Sequence, residues 1–471
     1  MLWCCLHFPD FPLELRAPRD SGCVAITDRH GARRIIIACN EASQDAGVHR
    51  GLDATTALAQ VPALKLIERT KSQERASIKA LAAWAEQFSS MVYVDVERWM
   101  LWLEIGASVR YFQGLEVLTH KVSQSVNDLG YTALISIAPT LEAAALLTRH
   151  ARATPILQRH DIHAALAPLA LSTLAVKATT LEALHGIGWR HVGEVLAIPR
   201  DQLARRFGPE LTQYLQRLLG ECADPREPHR APATYHRRFE LSTPVHATEP
   251  LLFVLRRLLS ELQGYLRGRD TALQSLRLTL CHDKLPATVL ELRTTAPQRD
   301  AARLLSLLRE TLDRTLLPGA TEELVLDVDR FVGLGDTQLH LFDETPRSDY
   351  AWSNLLDKLR ARLGVQAIRR LGLRDDHRPE KAWCVVVDET VTAATLTPQA
   401  AIPERPLWLL DPQPLRKLPT LLGKPERIES GWWTGEDTCR EYYIAETDEG
   451  SRWWLYRDAV TQRWYLQGLW A

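Results

Sequence analysis

The chain has 471 residues, a formal net charge of -1, 46% hydrophobic and 24% charged residues. Domains usually hold about 100–200 residues, so several cores are expected, and this balance excludes a wholly disordered or membrane-embedded chain. A near-neutral charge excludes global attraction to nucleic acid, so any contact with DNA must come from local basic patches.

The N-terminus, MLWCCLHFPDFPLEL, has no basic leader and soon meets Pro9 and Asp10, so it is read as the start of the folded chain and not as a secretion signal. The longest charge-poor apolar run, Ala164 to Val176, is broken by Pro168 and falls short of the roughly 18 residues a membrane span needs, so no membrane partner is expected. The 8 cysteines are scattered, without a CxxC pair or a zinc-like spacing, and are read as reduced thiols of a cytoplasmic protein. No metal site and no cofactor is expected.

Leu2 to Phe8 is an apolar run of strand length and predicts a buried strand. From Arg33 to Glu68 a strand (RRIIIAC) and two short helices, broken at Gly51 and closed by Pro62, predict a small, mainly helical insert. Strands at Val92 to Val96, Met100 to Ile105 and Ala133 to Ala138 alternate with helices at Leu115 to Leu129 and Leu141 to Arg149, which predicts an α+β or α/β layer. From Leu166 to Gly220 only short helices and Gly-containing turns are expected. A Pro-rich stretch of mixed charge, Asp224 to Arg238, buries little and is the best linker candidate.

The next elements read strand (HRRFEL), helix (Pro250 to Arg267), strand (LQSLRLTLC), strand (ATVLELRT), helix (Arg299 to Leu316) and strand (ELVLDV), a βαββαβ unit. Leu276, Leu278 and Leu280 alternate with Ser275, Arg277 and Thr279, as a sheet covered on one side only requires. A basic helix-like run (LLDKLRARLGVQAIRRLGLR) leads into Trp-rich alternating segments separated by the turns DEGS and RDAVTQ, which predict a small antiparallel meander.

Two motifs point to function. Leu184-His185-Gly186-Ile187-Gly188, followed by Val192, Val195 and Leu196, resembles a helix-hairpin-helix. There Gly186 and Gly188 let the turn approach a phosphate while N–H groups of the next helix face the anion, with Arg190 adding charge. Gln338-Leu339-His340-Leu341-Phe342 looks like the pentapeptide by which bacterial DNA enzymes dock on the sliding clamp. Leu341 and Phe342 would fill an apolar pocket, Leu339 its edge, and the Gln338 amide would fix orientation.

This order of units resembles the palm, fingers, thumb and little finger of a Y-family DNA polymerase. The expected boundaries are palm 1–9 and 72–165, fingers 10–71, thumb 166–223, linker 224–238, little finger 239–335, clamp peptide 336–345 and a C-terminal partner-binding extension 346–471. The ending (LRDDHRPEKAW, RPLWLLDPQPL, ERIESGWWTGE, WYLQGLWA) is similar to that of a polymerase-like member of a bacterial damage-induced mutagenesis cassette. The resemblance implies an α+β multidomain fold and a noncatalytic adaptor for translesion synthesis. Its implied partners are primer-template DNA, the beta sliding clamp, an error-prone C-family DNA polymerase and a RecA-like accessory protein.

An active member of that family holds Mg²⁺ with acids on the first strand and an Asp-Glu pair on a central one. Laid on this sequence, the first-strand places fall on Leu6 and Phe8, and the pair on Trp99 and Met100, so catalytic residues are expected to be absent. The family's Tyr-Glu-Ala-Arg is matched by Asn40-Glu41-Ala42-Ser43 and its Asn-Lys by Thr140-Leu141, which removes the triphosphate grip. An active polymerase with a misregistered site built from Asp10, Glu14, Asp95, Glu97 or Glu104 is the alternative. A repair factor with no replisome link is a third reading. Arg237 and Arg238 lead the expected DNA-phosphate contacts, with Arg256, Arg257, Arg267 and Arg269. A second basic set is Lys358, Arg360, Arg362, Arg369 and Arg370.

Overall fold

The apolar N-terminal run forms β1 (Trp3–His7), flanked by β6 (Met100–Glu104) and β7 (Leu134–Ala138), with β5 (Val92–Asp95) completing an antiparallel sheet in the order β5-β6-β1-β7. The computed structural model describes residues 1–16, 22–31, 33–150, 154–333, 345–374, 376–386, 405–433, 435 and 437–470. They divide into two units, 1–362 and 363–471.

Both faces of β1 are covered, which is why Trp3 to Leu6 is apolar throughout instead of alternating. Cys4, Leu6 and Phe8 enter a core shared with α4 (Lys71–Ala85) and α5 (Leu115–Asp128). Trp3 and Cys5 join Met100 and Trp102 beneath α6 (Leu141–Leu147). Helix α1 (Phe11–Arg16) leads away from β1.

The insert that follows differs from the expectation of a mainly helical unit. Besides α2 (Glu41–Asp45) and α3 (Ala54–Gln60) it contains a sheet of β2 (Val24–His30), β3 (Arg33–Cys39) and β4 (Lys65–Glu68) in the order β3-β2-β4. Only β3 was visible in the sequence. Val24 pairs with Lys65 in a parallel ladder, and a parallel pairing between distant segments leaves no hairpin signal. Asn40 and Asp53 cap the two helices by accepting from Ser43 N–H and Thr55 N–H.

Five helices follow: α7 (Ile162–Leu166), α8 (Ala178–Gly186), α9 (Val192–Leu196), α10 (Arg200–Phe207) and α11 (Pro209–Leu219). Gly220, at φ 74°, ends α11 in the left-handed conformation that suits glycine.

The βαββαβ order then appears as expected. It comprises β8 (Tyr235–Val245), α12 (Thr248–Gly268), β9 (Thr271–His282), β10 (Leu285–Gln298), α13 (Ala301–Asp313) and β11 (Thr321–Val328). The sheet runs β10-β9-β11-β8, and the short β12 (Phe331–Gly333) pairs with β9. Leu276, Leu278 and Leu280 are buried under the helices while Arg277 faces out.

The expected start of the C-terminal extension at residue 346 needs correction. Helix α14 (Thr345–Leu363) belongs almost wholly to the first unit. Its Asp357, 2% exposed, accepts from Thr295 N–H and Oγ1–H, both at 2.8 Å, and pairs with Arg303 at 2.9 Å. A buried carboxylate held this way anchors the helix to β10 and α13.

In the second unit β13 (Arg370–Leu373) pairs with β14 (Trp383–Val386). The expected meander is a five-stranded antiparallel sheet of β15 (Trp408–Pro414), β16 (Thr420–Ser430), β17 (Thr438–Glu446), β18 (Arg452–Asp458) and β19 (Trp464–Leu469). Tyr442 stacks on Trp454 at 4.3 Å, so large rings fill its thin core.

Candidate polymerase-like cleft and nucleic-acid surfaces

Side chains paired directly across an antiparallel ladder lie on the same face of the sheet. Met100 is paired with His7, and Trp102 with Cys5. The first-strand position sharing a face with Met100 is therefore His7. This corrects the expectation of Leu6 and Phe8, which are 0% exposed in the opposite core. The signal was in the sequence: a strand alternates, so a slip of one residue selects the wrong face.

None of the side chains at these positions suits Mg²⁺, which takes hard oxygen ligands. Met100 is buried at 2% exposure. Trp99 sits at φ 51° and turns its indole away, donating to the Glu74 carboxylate at 3.1 Å beneath the Arg69 guanidinium. His7 is partly buried, and burial pushes its imidazole down to about 4, with Arg149 and Arg50 adding repulsion. The ring is neutral near pH 7, and its Nδ1 has no hydrogen-bond partner among the described residues.

The alternative acids are spent separately. Asp10 lies 3.4 Å from Arg50, Glu14 accepts from Thr132 N–H at 3.0 Å, and Glu97 pairs with Arg75 at 2.5 Å. Asp95 accepts from Glu97 N–H and Arg98 N–H, both at 3.0 Å, and Glu104 accepts from Leu2 N–H and Gly106 N–H, both at 3.1 Å. Among the described residues, no three His, Cys, Asp or Glu side chains converge on a point that could hold a metal ion.

The places of the triphosphate grip serve local structure. Asn40 Oδ1 accepts from Val24 N–H at 3.1 Å as well as capping α2. The Thr140 hydroxyl donates to the Leu218 carbonyl at 2.8 Å and caps α6 by accepting from Ala143 N–H, and Leu141 is buried.

In the helix-hairpin-helix, Leu184, Val192 and Val195 are fully buried and Gly188 adopts φ 101°, a region that favours glycine. Its amides already have acceptors. Gly188 N–H donates to the His185 carbonyl at 2.9 Å, and Arg190 N–H and His191 N–H donate to the Glu194 carboxylate at 2.6 and 2.7 Å. Those two bonds hold the Glu194 carboxyl below the usual carboxylate range. Arg190 is exposed, but its guanidinium folds back onto the Trp189 and His185 carbonyls at 2.9 and 3.1 Å. A phosphate taking the Arg190 and His191 N–H groups has to displace Glu194, a residue the sequence argument passed over; its signal is the capping-box spacing from His191.

The expected DNA contact of Arg237 needs correction. The residue is 6% exposed, pairs with Glu261 at 3.0 Å and donates to Ser77 Oγ at 2.9 Å. Arg238 keeps 62% of its side chain exposed beside Glu323. Arg257 donates to the Glu14 carbonyl at 3.0 Å, and Arg269 to the Pro232 carbonyl at 3.1 Å. Arg256, Arg267, Lys358 and Arg362 are exposed, and Arg360 donates to Thr295 Oγ1 at 3.1 Å. The clamp-like residues Gln338, Leu339, Leu341 and Phe342 lie outside the described residues, between β12 and α14. Among the described residues, no helix is long and apolar enough to cross a membrane.

The impB/mucB/samB family model matches residues 17–149. Protein ImuB of Caulobacter vibrioides, in strain NA1000 / CB15N and in strain ATCC 19089 / CIP 103742 / CB 15, is 27% identical, covering 90% of this chain and 99% of its own. Among solved structures, DinB from Sulfolobus solfataricus aligns at 14% identity with a TM-score of 0.40, covering 71% of this chain and 100% of its own. The post-insertion binary complex of Dbh DNA polymerase aligns at 14% identity and a TM-score of 0.41 over the same shares. By sequence, residues 17–149 are similar to the impB/mucB/samB family, and the chain is similar to ImuB over 90% of its length.

Proposed function

We propose that the chain is a noncatalytic, cytoplasmic adaptor in DNA damage tolerance: it holds the sliding clamp through Gln338, Leu339, Leu341 and Phe342, meets primer-template DNA through its thumb and little-finger layers, and recruits an error-prone C-family polymerase with the RecA-like protein ImuA. The observation that carries the noncatalytic part is the pair His7 and Met100, one a neutral imidazole and the other a buried thioether, where two-metal chemistry needs carboxylates. Clamp binding is supported by the QLHLF sequence, which lies between two ordered elements of the little-finger layer. DNA binding is supported by the polymerase-like order of layers and by the exposed Arg190, Arg238 and Arg256. Recruitment of the two protein partners is supported by the resemblance of the C-terminal sequence to that of a mutagenesis-cassette protein and by 27% identity to ImuB over 90% of the chain.

The test is primer extension with purified chain, dNTPs and Mg²⁺ or Mn²⁺. The expected result is no incorporation above a protein-free control. Incorporation that disappears on replacing Asp10, Asp95 or Glu97 would instead make the chain a working polymerase.

A further inference from the structure

The stretch expected to be a free linker is held in place. Residues 222–234 carry no helix or strand. His229 N–H nevertheless donates to the Val92 carbonyl at 2.7 Å, and Ala231 N–H donates to the Glu86 carboxylate at 3.2 Å. The Tyr265 hydroxyl donates to the Pro232 carbonyl at 2.5 Å. Arg226 lies over the Trp102 ring at 4.6 Å and pairs with Glu142 at 2.6 Å. These bonds tie the stretch to the palm at one end and to α12 at the other.

Helix α12 itself lies against the end of α4 at a distance only glycine permits. A Cβ at Gly264 would stand 2.2 Å from Trp84 Cδ1 and 2.5 Å from Gln87 Nε2. A Cβ at Gly268 would stand 2.8 Å from Glu86 Cβ and 2.9 Å from the Glu86 carbonyl carbon. Residues four apart share one helix face, and glycine weakens a helix interior relative to alanine. Two such residues on the face turned to α4 are explained by the close approach and not by the folding of α12 alone. Below them Arg237 and Glu261, 6% and 1% exposed, form a buried ion pair whose guanidinium also donates to Ser77 of α4. Arg257 closes the other end, donating to the Glu14 carbonyl and lying 4.0 Å above the Tyr131 ring.

We propose that the palm and the little-finger layer of the free chain are one rigid body, locked along α12 by Gly264 and Gly268 and by the Arg237–Glu261–Ser77 cluster. Arg237 is then a positioning residue of this seam and not a ligand of DNA. The little finger does not swing on its linker.

Hydrogen exchange on the full chain tests this. In the wild type, the amides of His229 and Ala231 should exchange at least 100-fold slower than in a free peptide of residues 222–234. Gly264→Leu with Gly268→Leu should speed both at least tenfold while the amides of β9 stay protected, which reports that each layer is still folded. Ser77→Ala should act in the same direction and more weakly. Peptide-like exchange at His229 and Ala231 in the wild type overturns the proposal by itself, whether or not the leucine variant folds. A folded leucine variant with unchanged exchange overturns it as well.

Discussion

His7 and Met100 stand directly opposite each other on β1 and β6, and Met100 is closed off beneath α6. A carboxylate at residue 100 would enter a largely apolar core, with Arg98 and Arg149 lining the small pocket beside it. Met100→Glu should cost about 1–3 kcal/mol, less than a wholly unpaired buried charge because Arg98 and Arg149 line the same pocket. Chemical denaturation at pH 7 reads the loss, and a variant as stable as the wild type would show that this face is open to water.

His7 should titrate at about 4 in the folded chain, against about 6.5 when unfolded. The folded state favours the neutral ring, so its contribution to stability is complete above the unfolded value and is lost as pH falls from there through the folded value. His7→Gln should flatten stability against pH in that window and leave it unchanged at pH 8. An NMR titration of the imidazole with a midpoint near 6.5 would contradict the assignment.

Arg237 and Arg238 are neighbours in sequence with opposite fates. Arg237→Met leaves Glu261 buried without its partner and should cost about 3–5 kcal/mol, read in a urea melt. Arg238→Ala, which takes the cation from the nearly buried Glu323 carboxylate, should cost about 1–2 kcal/mol, less than Arg237→Met, and reduce the salt dependence of DNA affinity by about one phosphate contact. Equal melts for the two variants would remove the distinction.

Gln338→Ala with Leu341→Ala and Phe342→Ala should weaken clamp binding on the order of 100-fold or more, since two anchors of about 1.5–3 kcal/mol each are lost. Surface-immobilised clamp with the full chain in solution gives the comparison. Unchanged affinity would assign these residues to a packing role.

Asp357→Ala removes the carboxylate that binds Thr295 and Arg303, and about 3 kcal/mol of stability should go with it. Trypsin should then cut at Lys358 and Arg362 sooner than in the wild type. Identical digestion would mean that α14 is held by other contacts.

What was legible in the sequence follows from the range of the interactions involved. The βαββαβ unit was legible because each element carries its own period, as the Leu276, Leu278, Leu280 alternation does. The turns DEGS and RDAVTQ likewise separate β17 from β18 and β18 from β19. Pairing between β2 and β4 was not legible, because neither strand sees its partner locally. Arg237 read as a surface cation because its partner Glu261 comes from the next helix and Ser77 from another layer. On β1 the facing of the side chains was not legible, so His7 was missed by one position.

The burial of Met100 and Trp102 also bears on what this face of the sheet can hold. On the reading proposed above, a thioether and an indole packed between this sheet and α6 mean that an acid at residue 100 would come only at the expense of this core.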